Sequence, residues 1–122
     1  MKNNYQEYLN SLPAGTFYRK TSQEIKNNYV VETSKIGAEV TYLDFSTCDN
    51  FDTLQKTELI DVPSLIICGN ADKLTPVKYS QYFKDHIKNS ELCIIKDAGH
   101  LVMLEKPLEM NNVISKFVEK LD

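Results

Sequence analysis

The chain has 122 residues, of which 14 are lysine or arginine and 17 are aspartate or glutamate, so its formal net charge is −3. That length suits one domain with a modest core, and the mild negative charge argues against nucleic acid or an anionic membrane as a partner. Apolar runs do not exceed four residues and three cysteines do not suit a disulfide framework, so we expect a cytoplasmic protein without a membrane span or a signal peptide.

The first part of the chain is polar and has a helical pattern. Apolar residues recur at helical spacing over residues 5–12, and Pro13 is expected to end this helix. Thr21 and Glu24 have the spacing of a capping box, which predicts a second helix that ends at Gly37.

Residues 38–60 form an ambiguous segment. Their apolar residues fit a strand and a helix equally, so the sequence assigns neither. Asp49 or Asp52 is expected to cap a short helix that ends near Ile60.

The second part of the chain alternates between strand and helix. Residues 65–68 and 92–95 are continuous apolar runs, which are typical of strands buried inside a parallel sheet. Thr75 and Pro76 are expected to begin the helix between them, and a last helix is expected to begin at Pro107. Such strands need neighbours, so we expect one end of a larger sheet, completed by another polypeptide or by copies of this chain.

The loops that follow the two strands carry the candidate functional residues. Asp72 follows the first strand and His100 follows the second, and open α/β sheets place their sites at these strand ends. A carboxylate beside an imidazole fixes its tautomer and stabilises its protonated form during general-base catalysis. The simpler alternatives are a helix-capping aspartate and a loop histidine with a satisfied hydrogen bond.

Three segments resemble the α/β-hydrolase family. Residues 62–76 are similar to its acid-bearing strand and loop. Residues 98–100, followed by Glu105-Lys106-Pro107 and an amphipathic helix, are similar to its histidine loop and last helix. Residues 48–52 resemble the stretch that leads from the family's helical cap back into the core.

This resemblance implies the fold class and the site. The fold would be α/β, the C-terminal β-α-β-α end of an α/β-hydrolase parallel sheet, with a cap-like helical region over residues 1–50 and the C-terminal part of the core over residues 51–122. Asp72 would be the triad acid and His100 the triad histidine, in the order that the family uses.

The family's nucleophile elbow, G-x-S-x-G, is missing from the 122 residues, as is its oxyanion-hole segment. The sequence therefore predicts the C-terminal portion of an esterase, lipase or acyl-hydrolase that is inactive alone. Its expected partner is a missing N-terminal half or a second copy of the chain, and its substrate a small ester-like molecule. The bond cleaved, whether ester, amide, carbon–carbon or carbon–halogen, stays open, and no cofactor is implied.

The sequence also allows other functions and contains further candidate residues with weaker support. The main alternative is a non-catalytic, self-associating α/β module or a truncated hydrolase remnant, and a ligand-binding βαβ domain is a third. Metal-ligand spacings such as C-x-x-C are missing. His86 is expected to pack on a helix, and Glu105 to order the start of the last helix. Tyrosines of the first part suit an acyl pocket or ordinary packing: Tyr5, Tyr8, Tyr18 and Tyr29.

Overall fold

The computed structural model of the chain describes residues 4–121. Its helices and strands alternate in the second part of the chain, as the sequence predicts. In chain order they are α1 (Tyr5–Thr16), α2 (Gln23–Ile36), α3 (Ala38–Asn50), a 3₁₀ helix (Leu54–Leu59), β1 (Ser64–Gly69), α4 (Val77–His86), β2 (Ser90–Ile95), α5 (Val102–Glu105) and α6 (Pro107–Val118).

Helix α1 runs through Pro13, so the predicted end of this helix is wrong. A proline inside a helix removes a hydrogen bond and strains the preceding turn. Leu9 before it and Thr16 and Phe17 after it are all buried. The burial of residues on both sides of Pro13 therefore offsets the cost of the proline, and the helix continues through it.

Helix α2 begins one residue later than predicted, because Ser22 rather than Thr21 is its N-cap. The Ser22 hydroxyl accepts a hydrogen bond from the backbone N–H of Ile25, as N-cap side chains do. Gly37, with a φ of 83°, separates α2 from α3.

The ambiguous segment 38–60 is helical rather than extended. Its first part is α3, and its last part is the 3₁₀ helix. Neither predicted residue is the N-cap of the 3₁₀ helix, which is Thr53 without a side-chain hydrogen bond at that end. Asp52 lies one residue earlier, and its carboxylate accepts a hydrogen bond from the backbone N–H of Leu54 at 3.1 Å.

Strands β1 and β2 pair in parallel, which confirms the predicted β-α-β-α unit. Their register places Ile67 opposite Cys93 and Gly69 opposite Ile95. Helix α6 packs on these strands through Met110, which contacts a core formed by three buried residues. Those residues are Ile95, Ala98 and Val102.

The strands are less buried than their apolar runs predict. Burial is complete at their carboxyl ends, where Cys68 and Ile95 lie, whereas Ile94 is 46% exposed. The reason is that the sheet of the described residues has two strands only, so nothing within residues 4–121 pairs with either outer edge. Each helix in this same range is too short or too polar to traverse a bilayer.

Candidate active site

The loops that follow β1 and β2 are tied together at the carboxyl end of the sheet. The backbone N–H of Asn70 donates to the carbonyl of Ile95, and that of Ala71 donates to the carbonyl of Ala98, both at 2.9 Å. The Asn70 side chain accepts a hydrogen bond from the backbone N–H of Asp97, also at 2.9 Å. These bonds fix the loop that carries Asp72 against the loop that carries His100.

Asp72 and His100 meet in this pair of loops. The Nδ1 atom of His100 lies 2.9 Å from Oδ2 of Asp72. A carboxylate only accepts hydrogen bonds, so in the neutral ring the proton lies on Nδ1 and the lone pair on Nε2. The Asp72 side chain is 5% exposed and that of His100 is 36% exposed, so the acid is shielded while the imidazole is open to a reactant.

The Asp72 carboxylate is held by its own loop. Its Oδ1 atom accepts the backbone N–H groups of Leu74 and Thr75 at 2.9 Å, and Oδ2 accepts the Thr75 hydroxyl at 2.8 Å. Burial alone would raise the pKa of Asp72, but the hydrogen bonds from Thr75 and His100 outweigh it and lower that pKa below its usual value. The carboxylate is therefore charged throughout the range in which an imidazole exchanges protons.

Thr75 does not cap the next helix, so that prediction is wrong. Helix α4 begins after Pro76, its N-cap, without a side-chain hydrogen bond at that end. The Thr75 hydroxyl instead donates to Asp72 and lies 3.2 Å from Nδ1 of His100. Its hydroxyl proton is better used at the charged carboxylate, because hydrogen bonds to ionised groups are stronger.

The histidine loop is also bound from the side of the helical region. The backbone N–H of His100 donates to the carbonyl of Thr16 at 2.7 Å. Glu105 accepts hydrogen bonds from the backbone N–H of Gly99 and of Tyr18, each at 2.8 Å, and from the hydroxyl of Thr21. The hydrogen bonds of Glu105 thus go to these segments and not to the start of α6, where Lys106 is the N-cap without a side-chain hydrogen bond and a proline lies in the first turn.

Gly69 and Gly99 permit the close approach of these segments. A Cβ atom on Gly69 would lie 2.3 Å from the carbonyl oxygens of Ala98 and Gly99. One on Gly99 would lie 2.6 Å from the carbonyl oxygen of Thr16. Both positions therefore require glycine for space, and neither has a positive φ.

A family model described as the alpha/beta hydrolase fold matches residues 3–107. The chain belongs to the α/β-hydrolase family. The fold class expected from the sequence is thereby confirmed, and the two-stranded parallel sheet with its helices is consistent with part of such a fold.

The chain is similar to α/β-hydrolases of several activities. A solved structure of a thermophilic esterase shares 37% identity and a TM-score of 0.87, covering 98% of this chain and 48% of that one. The 3-oxoadipate enol-lactonase 1 of Acinetobacter baylyi is 33% identical over 70 residues, 57% of this chain and 26% of the relative. The monoacylglycerol lipase ABHD6 of Mus musculus is 28% identical over 107 residues, 88% of this chain and 26% of the lipase. The chain thus spans about a quarter to a half of these α/β-hydrolases.

The remaining candidate residues of this α/β-hydrolase chain are engaged in packing. The His86 ring stacks on Tyr82 with centroids 3.8 Å apart, and its Nδ1 atom lies 2.8 Å from the Tyr82 carbonyl oxygen. Tyr5 stacks on Tyr8, and Tyr29 meets Phe17 edge to face. Across the described part of the chain, no three acidic, histidine or cysteine side chains are grouped as metal ligands would be.

Proposed function

We propose that Asp72 and His100 are the acid and the histidine of an α/β-hydrolase active site of the esterase, lipase or acyl-hydrolase type. The hydrogen bond of 2.9 Å between His100 Nδ1 and Asp72 Oδ2 carries this proposal. It joins two loops at the carboxyl end of a parallel sheet, where α/β folds bind their ligands. An esterase, a lactonase and a lipase among the relatives support a small ester-like substrate.

The proposed chemistry is acyl transfer. As a nucleophilic hydroxyl attacks the substrate carbonyl, Nε2 of His100 takes its proton and later gives it to the leaving group. Asp72 holds the proton of Nδ1 and stabilises the imidazolium that forms in between. The acyl group is then on the nucleophile. Water attacks it while Nε2 of His100 takes the proton of the water and returns it to the nucleophile as the acid leaves. The full cycle restores all three side chains and uses no cofactor.

We propose that the nucleophile and the oxyanion donors of this cycle lie outside the 122 residues. G-x-S-x-G does not occur in them, and the matched esterase is about twice as long, since the chain covers 48% of it. We therefore propose that the chain is inactive alone and acts with an N-terminal half of the same fold, supplied by another polypeptide segment.

The free state of all three cysteines supports a cytoplasmic location.

Complementation tests this function. The N-terminal half of the thermophilic esterase is mixed with the chain, or fused in front of it, and hydrolysis of a nitrophenyl ester is followed. His100→Ala should lower kcat by at least about 10³-fold, because nothing else accepts the proton of the nucleophile. His86→Ala makes the same change at the other histidine and should leave kcat unchanged. Full activity of the His100→Ala enzyme would overturn the assignment.

Incomplete burial of the sheet favours a second candidate, a non-catalytic module that associates with copies of itself. The outer edges of β1 and β2 have no strand partner within residues 4–121, and unpaired edges are templates for association. Such a module would leave Asp72 and His100 as loop-stabilising residues. The complementation experiment separates the two candidates, because a non-catalytic module would give no esterase activity when it is mixed with the N-terminal half of the esterase.

A further inference from the structure

Glu105 lies where three segments of the chain meet. One carboxylate oxygen accepts the backbone N–H of Gly99, in the histidine loop, at 2.8 Å. The other accepts the backbone N–H of Tyr18 at 2.8 Å and the hydroxyl of Thr21, both in the connection between α1 and α2. The partners at 18 and 21 are separated from Glu105 by 87 and 84 positions of sequence, so this carboxylate joins distant parts of the chain.

Hydrogen bonds of this kind fix the position of the backbone from which the His100 side chain projects. The N–H of Gly99 points to Glu105, and the next N–H along the chain, that of His100, points to the carbonyl of Thr16 at 2.7 Å. Two consecutive peptide groups are thus fixed by partners outside their own loop. Because His100 projects from this backbone and reaches Asp72 at 2.9 Å, we expect the loss of either hydrogen bond to let the ring move away from the carboxylate.

We propose that Glu105 is a positioning residue that holds His100 against Asp72 by binding the histidine loop to the connection between α1 and α2. The importance of this for catalysis rests on the proposed function, whereas the orientation of the ring does not. A carboxylate is required because Glu105 acts only as a hydrogen-bond acceptor here, from two backbone N–H groups and one hydroxyl. A glutamine would turn its own N–H₂ group toward at least one of these donors.

The proton position on the His100 ring tests this directly, and nitrogen NMR of the side chain in the full chain measures it. In the wild type the neutral ring should carry its proton on Nδ1, facing Asp72. Asp72→Asn places an N–H donor there and should move the proton to Nε2. Glu105→Gln should shift the ring nitrogens at least about halfway toward the Asp72→Asn values, and the double variant should add little, as expected for residues that act through one contact.

Glu109→Gln is the matched control. It removes the same charge from the exposed first turn of α6, where Glu109 lies 3.8 Å from Lys106, and should leave the His100 nitrogens unchanged. A folded Glu105→Gln variant, as judged by circular dichroism, whose ring nitrogens match the wild type would overturn the proposal.

A milder pair of variants keeps the test valid if Glu105→Gln does not fold. Thr21→Val removes one hydroxyl donor from Glu105 and keeps the shape of the side chain, whereas Thr21→Ser keeps the hydroxyl. Thr21→Val should move the ring nitrogens in the direction of Asp72→Asn, and Thr21→Ser should not. Identical spectra for the two variants would also overturn the proposal.

Kinetics with the esterase N-terminal half separates this inference from the proposed function. Glu105→Gln should lower kcat by about 10- to 100-fold with little change in KM, since a displaced histidine slows proton transfer rather than substrate binding. If His100→Ala keeps full activity, the proposed function fails while the ring measurement stands. If His100→Ala is inactive and Glu105→Gln changes neither ring nor kcat, the positioning role fails alone.

Discussion

Asp72 receives four hydrogen bonds on a side chain that is only 5% exposed. Two of them come from backbone N–H groups of its own loop, one from the Thr75 hydroxyl and one from His100. Together they lower the pKa of the carboxyl despite the opposing effect of burial. A carboxylate held in this way orders the loop and also provides a fixed acceptor for the imidazole.

The lowered pKa of Asp72 makes part of the stability depend on pH. The hydrogen bonds favour the charged form, so their contribution is complete above the ordinary pKa of 3.8 and is lost as the pH falls through the lower value of the folded chain. Asp72→Asn should reduce the free energy of unfolding by about 1.5–3 kcal/mol near neutral pH, the range for hydrogen bonds to a charged group.

Urea unfolding at about pH 6, 4 and 3 measures this difference. The wild type and Asp72→Asn should converge toward the most acidic point. Asp85→Asn is the control, because Asp85 lies on the surface of α4 and bonds only to Gln81. A difference between the wild type and Asp72→Asn that grows as the pH falls would contradict the account.

The residues of the site differ in how far the sequence predicts them. Asp72 and His100 follow apolar strands, so the rule that α/β sites lie at strand ends identifies both. Thr75, Thr21 and Glu105 also lie near helix starts, and the local rules for caps assign them to those helices. In the structure their hydrogen bonds go elsewhere. The Thr75 hydroxyl donates to Asp72, and the Thr21 hydroxyl donates to Glu105, which lies 84 positions away in the sequence. No local pattern encodes such a contact.

At the scale of elements, the carboxyl end of β1 and the histidine loop touch without intervening side chains. The β1 terminus is Gly69, and the carbonyl oxygens of Ala98 and Gly99 occupy the space that a side chain there would need. This contact places the loop of Asp72 beside that of His100. The two loops therefore form one unit whose spacing depends on the absence of a Cβ atom.

Gly69→Ala should accordingly separate the two loops. The added methyl group would meet backbone atoms 2.3 Å away, which cannot move as a side chain end can, so we expect a loss of about 2–4 kcal/mol in the free energy of unfolding. Thermal and urea unfolding measure this loss.

Gly15→Ala is the matched comparison. A Cβ atom at Gly15, inside α1, meets only the side chain of Leu74 at an ordinary 3.9 Å. That change should raise the free energy of unfolding by roughly 0.5–1 kcal/mol, the usual gain for glycine to alanine in a helix. Equal effects at Gly69 and Gly15 would contradict the close approach of the loops.

The sequence predicts some elements better than others. It predicts the strands and α6 well, because unbroken apolar runs and Pro107 at a helix start are strong local signals. Segment 38–60 was ambiguous since short mixed apolar stretches fit both periods. The helix through Pro13 was missed because its packing partners, rather than its own residues, hold it together.

At the scale of the whole molecule, the chain exposes more surface than a compact monomer. Its accessible surface is 8668 Å², whereas about 6700 Å² is expected for a folded protein of 14.0 kDa. The excess of about 2000 Å² is larger than the surface of about 800 Å² that each partner buries in a standard protein–protein interface. Exposed apolar side chains account for part of it, among them Phe51, Leu59, Val62, Ile94 and Leu108.

We therefore expect the isolated chain to self-associate. Light scattering after gel filtration should give a mass above 14.0 kDa that rises with concentration, and adding the N-terminal half of the thermophilic esterase should convert it to a one-to-one complex. Ile94→Lys, which places a charge on the exposed part of β2, should weaken both associations. A monomer at every concentration, with no binding to that half, would contradict the expectation of a partner.

Labelling by a serine-reactive fluorophosphonate probe, read by intact mass, shows directly where the nucleophile lies and whether His100 activates it. We expect the 122-residue chain alone not to be labelled. In its complex with the N-terminal half, the label should lie on that half and be lost when the chain carries His100→Ala. Stoichiometric labelling of the chain itself, abolished by His100→Ala, would show that it contains its own nucleophile. Equal labelling of the complex with and without His100 would show that this histidine is not the base.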